Sequence, residues 1–393
     1  MEINRRTFLG RAGLLAGAAA LPSTMTGRAS AVPADPDTLF RAGEFTRADR
    51  GYEQLLRRDP GNAWAVGQRG YIALLSNRFG DATKYLTKAV RLAPDDVVSK
   101  QRLAESYVRQ DQHAYAVPLL QSTGRPRDEA YAKLYDALRG KPWQVRGAQH
   151  TRVPMLEVDP VPHVEASVNG GKPQRFLLDT YATLDLAADV AARAGLRAVA
   201  STSGVVSGKP ITIYLGIMAS FRIGDLELRN LPVQWIDTQR PPLPDGSQPA
   251  GVIGTTVFYH LLTTMNYRDR SLVLRRKGTA DPRRHHDHLP LWLAGDHYPC
   301  TLGSLGSVGP RLVTVDTGGI GHGLDTTVEI AERAGIAVDY AHPIDFGGST
   351  LYPITPDRIS LGRAVGHHIN GLAAKTVPSA SQAPASRPSS AST

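Results

Sequence analysis

An apolar strand that runs into an Asp-Thr turn occurs twice in this chain, and the two copies carry the same flanks. The first is Phe176-Leu177-Leu178-Asp179-Thr180-Tyr181-Ala182, and the second is Leu312-Val313-Thr314-Val315-Asp316-Thr317-Gly318-Gly319. Ala191-Ala192-Arg193-Ala194-Gly195-Leu196 is answered by Ala331-Glu332-Arg333-Ala334-Gly335-Ile336. Phe221-Arg222-Ile223-Gly224 is answered by Arg358-Ile359-Ser360-Leu361-Gly362. The offsets are 137, 140 and 138 residues, so small insertions separate two copies of one unit. One Asp-Thr-Gly is an ordinary turn, whereas a duplicated one with matching flanks marks an internal duplication.

At these residues the chain resembles the retropepsin-like (retroviral-type) aspartic peptidases, in the two-lobed single-chain form that bacteria attach to tetratricopeptide repeats. The resemblance implies that Asp179 and Asp316 form a catalytic pair, one from each lobe. The chemistry needs two acids because neighbouring carboxylates cannot both ionise and so share one proton. The ionised member takes a proton from water while the protonated member hydrogen-bonds the scissile carbonyl. Thr180 and Thr317 fit the places where the family's hydroxyls tie the two loops together. The next residue is normally glycine, because the backbone passes close to the carboxylates. Gly318 satisfies this and Tyr181 does not. A phenol there either swings out and displaces the loop or sits over the pair and blocks water.

Ahead of the duplication the text is helical and repeats every 34 residues: Phe45 with Phe79, Ala48 with Ala82, Pro60 with Pro94. A third register gives Leu103, Ala104, Tyr107, Ala116 and Leu120. Small residues let two helices approach closely and Pro ends each unit, which matches the tetratricopeptide repeat. Three such units read first as a small scaffold packed against its neighbour, and second as a surface for a protein partner. Before them, Asn4-Arg5-Arg6-Thr7-Phe8-Leu9-Gly10, an apolar run from Ala12 to Leu21 and Ala29-Ser30-Ala31 read as a twin-arginine export signal with its cleavage site. The expected location is periplasmic or secreted. The apolar run is too short to span a bilayer and no Cys follows it for lipidation, so no stable membrane anchor is expected after its removal.

A net charge of +9 raises nucleic acid as a partner, but the Arg residues are scattered without a basic helix or aromatic platform. The single cysteine, Cys300, lies in a strand-like run and cannot form an intrachain disulfide. Arg283-Arg284-His285-His286-Asp287-His288 reads as a solvated linker, since adjacent residues of an extended chain point apart. No metal and no cofactor are expected.

The fold class expected is multidomain α + β: a helical tetratricopeptide-repeat solenoid followed by two all-β retropepsin-like (acid-protease barrel) lobes, the second truncated. The divisions are a signal over 1–31, repeats over 37–140, lobe one over 150–277, a linker over 278–288, lobe two over 289–374 and a Ser/Ala/Pro tail over 375–393. Val252-Ile253-Gly254 fills the family's apolar-apolar-Gly strand beneath the first catalytic loop. Flap hairpins that cover substrate are expected around Gly204 and Gly208 in lobe one, and around Gly347 and Gly348 in lobe two. At the same offset, the lobe-two counterpart of residues 251–276 would fall in the tail, which has no apolar run. Lobe two is therefore expected to borrow strands from another chain, as an oligomer, or to stay poorly ordered. The function expected is exported aspartic endopeptidase acting on a peptide or protein substrate. The alternative is a catalytically impaired relative that binds peptides without cutting them.

Overall fold

The computed structural model describes residues 11–14, 35–206, 209–279, 288–295, 297–319, 322–346 and 349–375. The 34-residue period appears directly in where helices begin. Phe45–Arg58, Phe79–Leu92 and His113–Gln121 start one period apart, and each is followed by a partner: Ala63–Leu75, Val97–Val108 and Pro126–Ala137. Ala48, Ala82 and Ala116 are completely buried at equivalent positions, where a larger side chain would hold the helices apart. The partner helices are capped in the same way, with Asn62 accepting from the Ala65 amide (3.0 Å) and Asp96 from the Ser99 amide (3.2 Å). Gly70 lets the neighbouring helix pass closely, since a Cβ there would lie 2.7 Å from the Leu86 side chain.

These helices bracket both β lobes. Toward lobe two, the Phe45 ring meets Trp292 edge-on at 5.1 Å, and the buried Arg109 guanidinium donates to the Leu293 and Gly295 carbonyls at 2.9 and 2.7 Å. Glu105 pairs with the same guanidinium, so the buried charge is neutralised. Toward lobe one, Ala130 and Leu134 pack on Leu215, Tyr131 Oη donates to Gln234 (3.2 Å), and His260 Nε2 lies 3.0 Å from the Asp111 carboxylate.

The main sheet of lobe one runs, edge to edge, Gln144–Gly147, Leu226–Ile236, Asp185–Ala187, Gly251–Ile253, Gln174–Leu178, His163–Val168, Lys209–Ile223 and Ala198–Val206. A three-stranded sheet of Leu261–Asn266, Ser271–Arg276 and His150–Pro154 accompanies it. The lobe-two sheet runs Ile344–Phe346, Ser349–Ile354, Gly371–Ala374, Leu324–Thr327, Arg11–Leu14, Val308–Asp316, Tyr298–Leu305, Ile359–Leu361 and Ala364–Gly366, with Trp292–Ala294 branching from Tyr298–Leu305.

A helical region followed by β-sheets is as expected, but the closed acid-protease barrels are not formed. Each sheet's path begins and ends on an edge strand. In lobe one a further pairing of Lys209–Ile223 with Leu226–Ile236 curls the sheet, yet Gln144–Gly147 and Ala198–Val206 remain at its ends. In lobe two the counterpart of that long strand is broken into Ser349–Ile354 and Ile359–Leu361 by Thr355-Pro356-Asp357-Arg358. Pro356 has no N–H to give a ladder, so the two pieces take different partners and the sheet stays open. In the lobe-two sheet Arg11–Leu14 pairs with Val308–Asp316 and Leu324–Thr327. The twin-arginine motif, most of the linker and the C-terminal tail lie outside the described residues.

Burial pushes the His113 imidazole down to about 4, with Asp111 opposing the shift. A folded-state value below the ordinary 6.5 means the unfolded chain binds the extra proton, so this contribution is intact above pH 6.5 and is lost as pH falls toward 4. The loss is on the order of 3 kcal/mol. Urea unfolding across that window should show the decline in the parent chain and a flatter profile in His113→Phe; equal slopes would contradict the assignment.

Candidate active site

Both acids stand at the ends of central strands. In Gln174–Leu178 the alternation puts Phe176 and Leu178 fully into the core, and the strand lies between His163–Val168 and Gly251–Ile253. The Asp179 amide continues that ladder by donating to the Ile253 carbonyl at 3.1 Å. In Val308–Asp316 the buried Leu312 and Val313 play the same part, and Asp316 itself is 3% exposed.

The two Asp-Thr turns are locked together by a reciprocal exchange. The Thr180 amide donates to Thr317 Oγ1 (3.1 Å), and the Thr317 amide donates to Thr180 Oγ1 (3.0 Å). Each hydroxyl then donates across the interface to the carbonyl preceding the other acid: Thr180 to Val315 at 2.7 Å, Thr317 to Leu178 at 3.1 Å. Each carboxylate is oriented by the amide two residues on, Tyr181 to Asp179 Oδ1 and Gly318 to Asp316 Oδ1, both at 2.7 Å. The symmetry of the duplication is thus expressed atom by atom at this junction.

Gly318 brings the acids to one place. A Cβ on it would lie 2.3 Å from the Asp179 Cγ, so the lobe-one carboxylate rests against the lobe-two loop whose amide holds Asp316. Beneath the first loop, Gly254 is equally obligatory: its Cβ would lie 1.9 Å from the Ala182 carbonyl oxygen. Thr255 secures the same loop, its amide donating to Ala182 (2.9 Å) and its hydroxyl to the Thr180 carbonyl (2.7 Å).

Tyr181 keeps the amide hydrogen bond that glycine would make, so the phenol does not unseat the loop. Its ring packs on Tyr298 of lobe two, with centroids 4.3 Å apart, and its carbonyl accepts from His297 Nε2 at 3.2 Å. Tyr267, at the turn of the hairpin between Leu261–Asn266 and Ser271–Arg276, is a site residue that sequence reasoning missed. Burial first, then the fields of Asp316 and Asp179, push its phenol up to about 12. The phenol therefore stays protonated across the physiological range, close enough to both acids to feel their charge. No spacing signature distinguishes Tyr267, Tyr298 or His297 from structural aromatics.

Where the lobe-one flap is expected, Ala198–Val206 and Lys209–Ile223 pair as a hairpin, with Gly204 opposite Ile211 and Val206 opposite Lys209. Its lobe-two equivalent pairs Ile344–Phe346 with Ser349–Ile354. Gly208, Gly347 and Gly348, at the two tips, lie outside the described residues. Among the described residues, no group of three or more His, Cys, Asp or Glu side chains is placed to hold a metal ion.

The aspartyl protease family matches residues 164–257, which contain Asp179 and the Gly251–Gly254 strand; the second copy lies outside that match. No curated protein matches the chain. Among solved structures, the aspartic proteinase of Irpex lacteus is 13% identical over 56% of this chain and 78% of its own, with a TM-score of 0.33. A retropepsin-like aspartic protease from Rickettsia conorii is 15% identical over 35% of this chain and 97% of its own, at 0.25. The TPR2B domain of yeast Sti1, in complex with pHsp70, is 20% identical over 24% of this chain and 75% of its own, at 0.23. The chain spans only 24% of an O-GlcNAc transferase from Thermobaculum terrenum that it also matches, at 19% identity, over 30% of its own length and with a TM-score of 0.25.

Replacing either threonine by valine leaves an amide and a carbonyl of the junction unpaired, which should cost about 2–3 kcal/mol. Thr180 and Thr317 belong to one network, each amide donating to the other's hydroxyl, so the double variant should lose clearly less than the sum. Denaturant unfolding of the four chains measures this, and strict additivity would show that the hydroxyls act independently.

Proposed function

We propose that the protein is an exported aspartic endopeptidase in which Asp179 and Asp316 activate one water molecule. The reading rests above all on the reciprocal threonine exchange with Gly318, an arrangement that sets two carboxylates from separate lobes against one small loop. The aspartyl protease match over residues 164–257 supports the same class of chemistry. The twin-arginine pattern of Asn4–Gly10 supports export to the periplasm or beyond.

In the proposed reaction the substrate lies extended beneath the hairpin Ala198–Val206/Lys209–Ile223, held chiefly by main-chain hydrogen bonds. One carboxylate is ionised and removes a proton from water as the water oxygen attacks the scissile carbonyl carbon. The other is protonated and hydrogen-bonds the carbonyl oxygen as negative charge develops there. The C–N bond then breaks, and the proton taken from water leaves on the departing amine. Tyr267, whose phenol feels the charge of both acids, would solvate the negative charge of the pair.

A second reading keeps the groove without turnover, as a peptide-binding module. What favours it is the side chain at position 181, where the second copy has Gly318. The two readings separate on a peptide-library digest at acidic and neutral pH. The enzyme reading expects cleavage that falls by about 100-fold or more in Asp179→Asn and in Asp316→Asn, with the fold intact. A smaller loss is expected in Tyr267→Phe. No cleavage by the parent, with cleavage by Tyr181→Gly, would favour the binding module instead.

A further inference from the structure

The helical repeats and lobe one do not close completely where they meet. Between the end of Val97–Val108, the start of His113–Gln121, the helix Pro126–Ala137 and the residues just after the Asp179 loop lies a cavity of about 80 Å³, partly open to solvent. One water is held in roughly 10–15 Å³, so a single bridging water does not fill it. The wall is mainly apolar, with Tyr131 and Tyr135 on the helical side and Trp143 and Tyr259 on the side of lobe one.

Three polar side chains of that wall carry atoms that the fold leaves unbonded. His113 is 4% exposed, and neither of its ring nitrogens makes a hydrogen bond; the Asp111 main chain lies near the imidazole but outside bonding geometry. The Thr183 hydroxyl is buried without a partner. Arg109 engages its two Nη atoms with the Leu74, Leu293 and Gly295 carbonyls and with Glu105, which leaves Nε without one. Buried polar groups nearly always find a partner, so four such atoms in one wall mark a place where a ligand supplies it.

The chemistry of that ligand follows from the same groups. Glu105 already neutralises Arg109, and burial keeps His113 uncharged down to about 4, so the cavity offers no free charge for an ion to pair with. Arg109 Nε can only donate, a neutral imidazole offers one donor and one acceptor, and a hydroxyl does either. An amide, with an acceptor oxygen beside an N–H donor, answers this set, and a planar ring suits the aromatic surfaces around it. We propose that the cavity is a binding site for a small uncharged aryl amide, held by His113, Thr183 and Arg109 at the seam between the helical repeats and lobe one. This inference rests on the cavity and not on the proposed hydrolysis.

Titration of the full chain with benzamide, followed by protein NMR, tests it. Benzamide should bind at one site with a Kd of about 1 mM or tighter. His113→Phe and Thr183→Val should each weaken it at least about ten-fold, since each removes a partner of the amide. Benzoate, which brings a charge, and toluene, which brings no polar group, should bind at least about ten-fold more weakly than benzamide. No binding of benzamide up to about 20 mM, as expected of a cavity that holds water alone, overturns the proposal. Binding that both variants leave unchanged, or that toluene or benzoate matches, overturns it too. If the variants do not fold, photolabelling of the parent chain serves instead. An azide-bearing benzamide should then mark Tyr131, Tyr135 or Tyr259 and be displaced by excess benzamide, whereas labelling confined to other residues overturns the proposal.

Discussion

The exchange of hydrogen bonds between Thr180 and Thr317 is the constraint on which the rest depends. Neither acid is positioned by its own lobe alone. Each Asp sits at the end of a strand, and the turn that follows is completed by an amide, a hydroxyl and a carbonyl from the other copy. Each of these bonds contributes only about 1 kcal/mol net, but every one of them joins the two lobes, so together they define a single geometry. Without the exchange, Asp179 and Asp316 would be turn residues of two separate sheets.

The architecture around the junction serves to keep the lobes in register. Gly318 and Gly254 are needed because other atoms already occupy the space a Cβ would take. The helical repeats contact both lobes, through Phe45 and Arg109 on one side and Ala130, Leu134 and Asp111 on the other. They resist the relative sliding that would pull the threonines apart. Lobe two in particular leans on these helices, since Leu312 and Cys300 share a hydrophobic cluster with Phe40, Phe45 and Tyr71.

Much of this was legible because symmetry amplifies weak signals. An Asp-Thr turn alone says little, but two with common offsets mark a duplication, and the 34-residue period recurs in the starts of Phe45–Arg58, Phe79–Leu92 and His113–Gln121. The closed barrels were misjudged in both lobes: each sheet ends on edge strands, and in lobe two Thr355-Pro356-Asp357-Arg358 also breaks the long strand in two. Tyr267, His297 and Tyr298 were invisible because a lone aromatic shows its partner only when the chain is folded. Tyr181 was visible as a departure, but its consequence was not. The structure keeps the amide bond to Asp179 and lays the ring on Tyr298.

The central claim is that two carboxylates from opposite halves of the duplication face one groove as a single unit. A peptide carrying a tetrahedral hydroxyl in place of the scissile carbonyl imitates the reaction's intermediate and should bind more tightly than its parent peptide. Titration calorimetry of such a peptide should give one site per chain, with affinity lost in parallel by Asp179→Asn and by Asp316→Asn. Binding that depends on only one of the two acids, or on neither, would contradict the account.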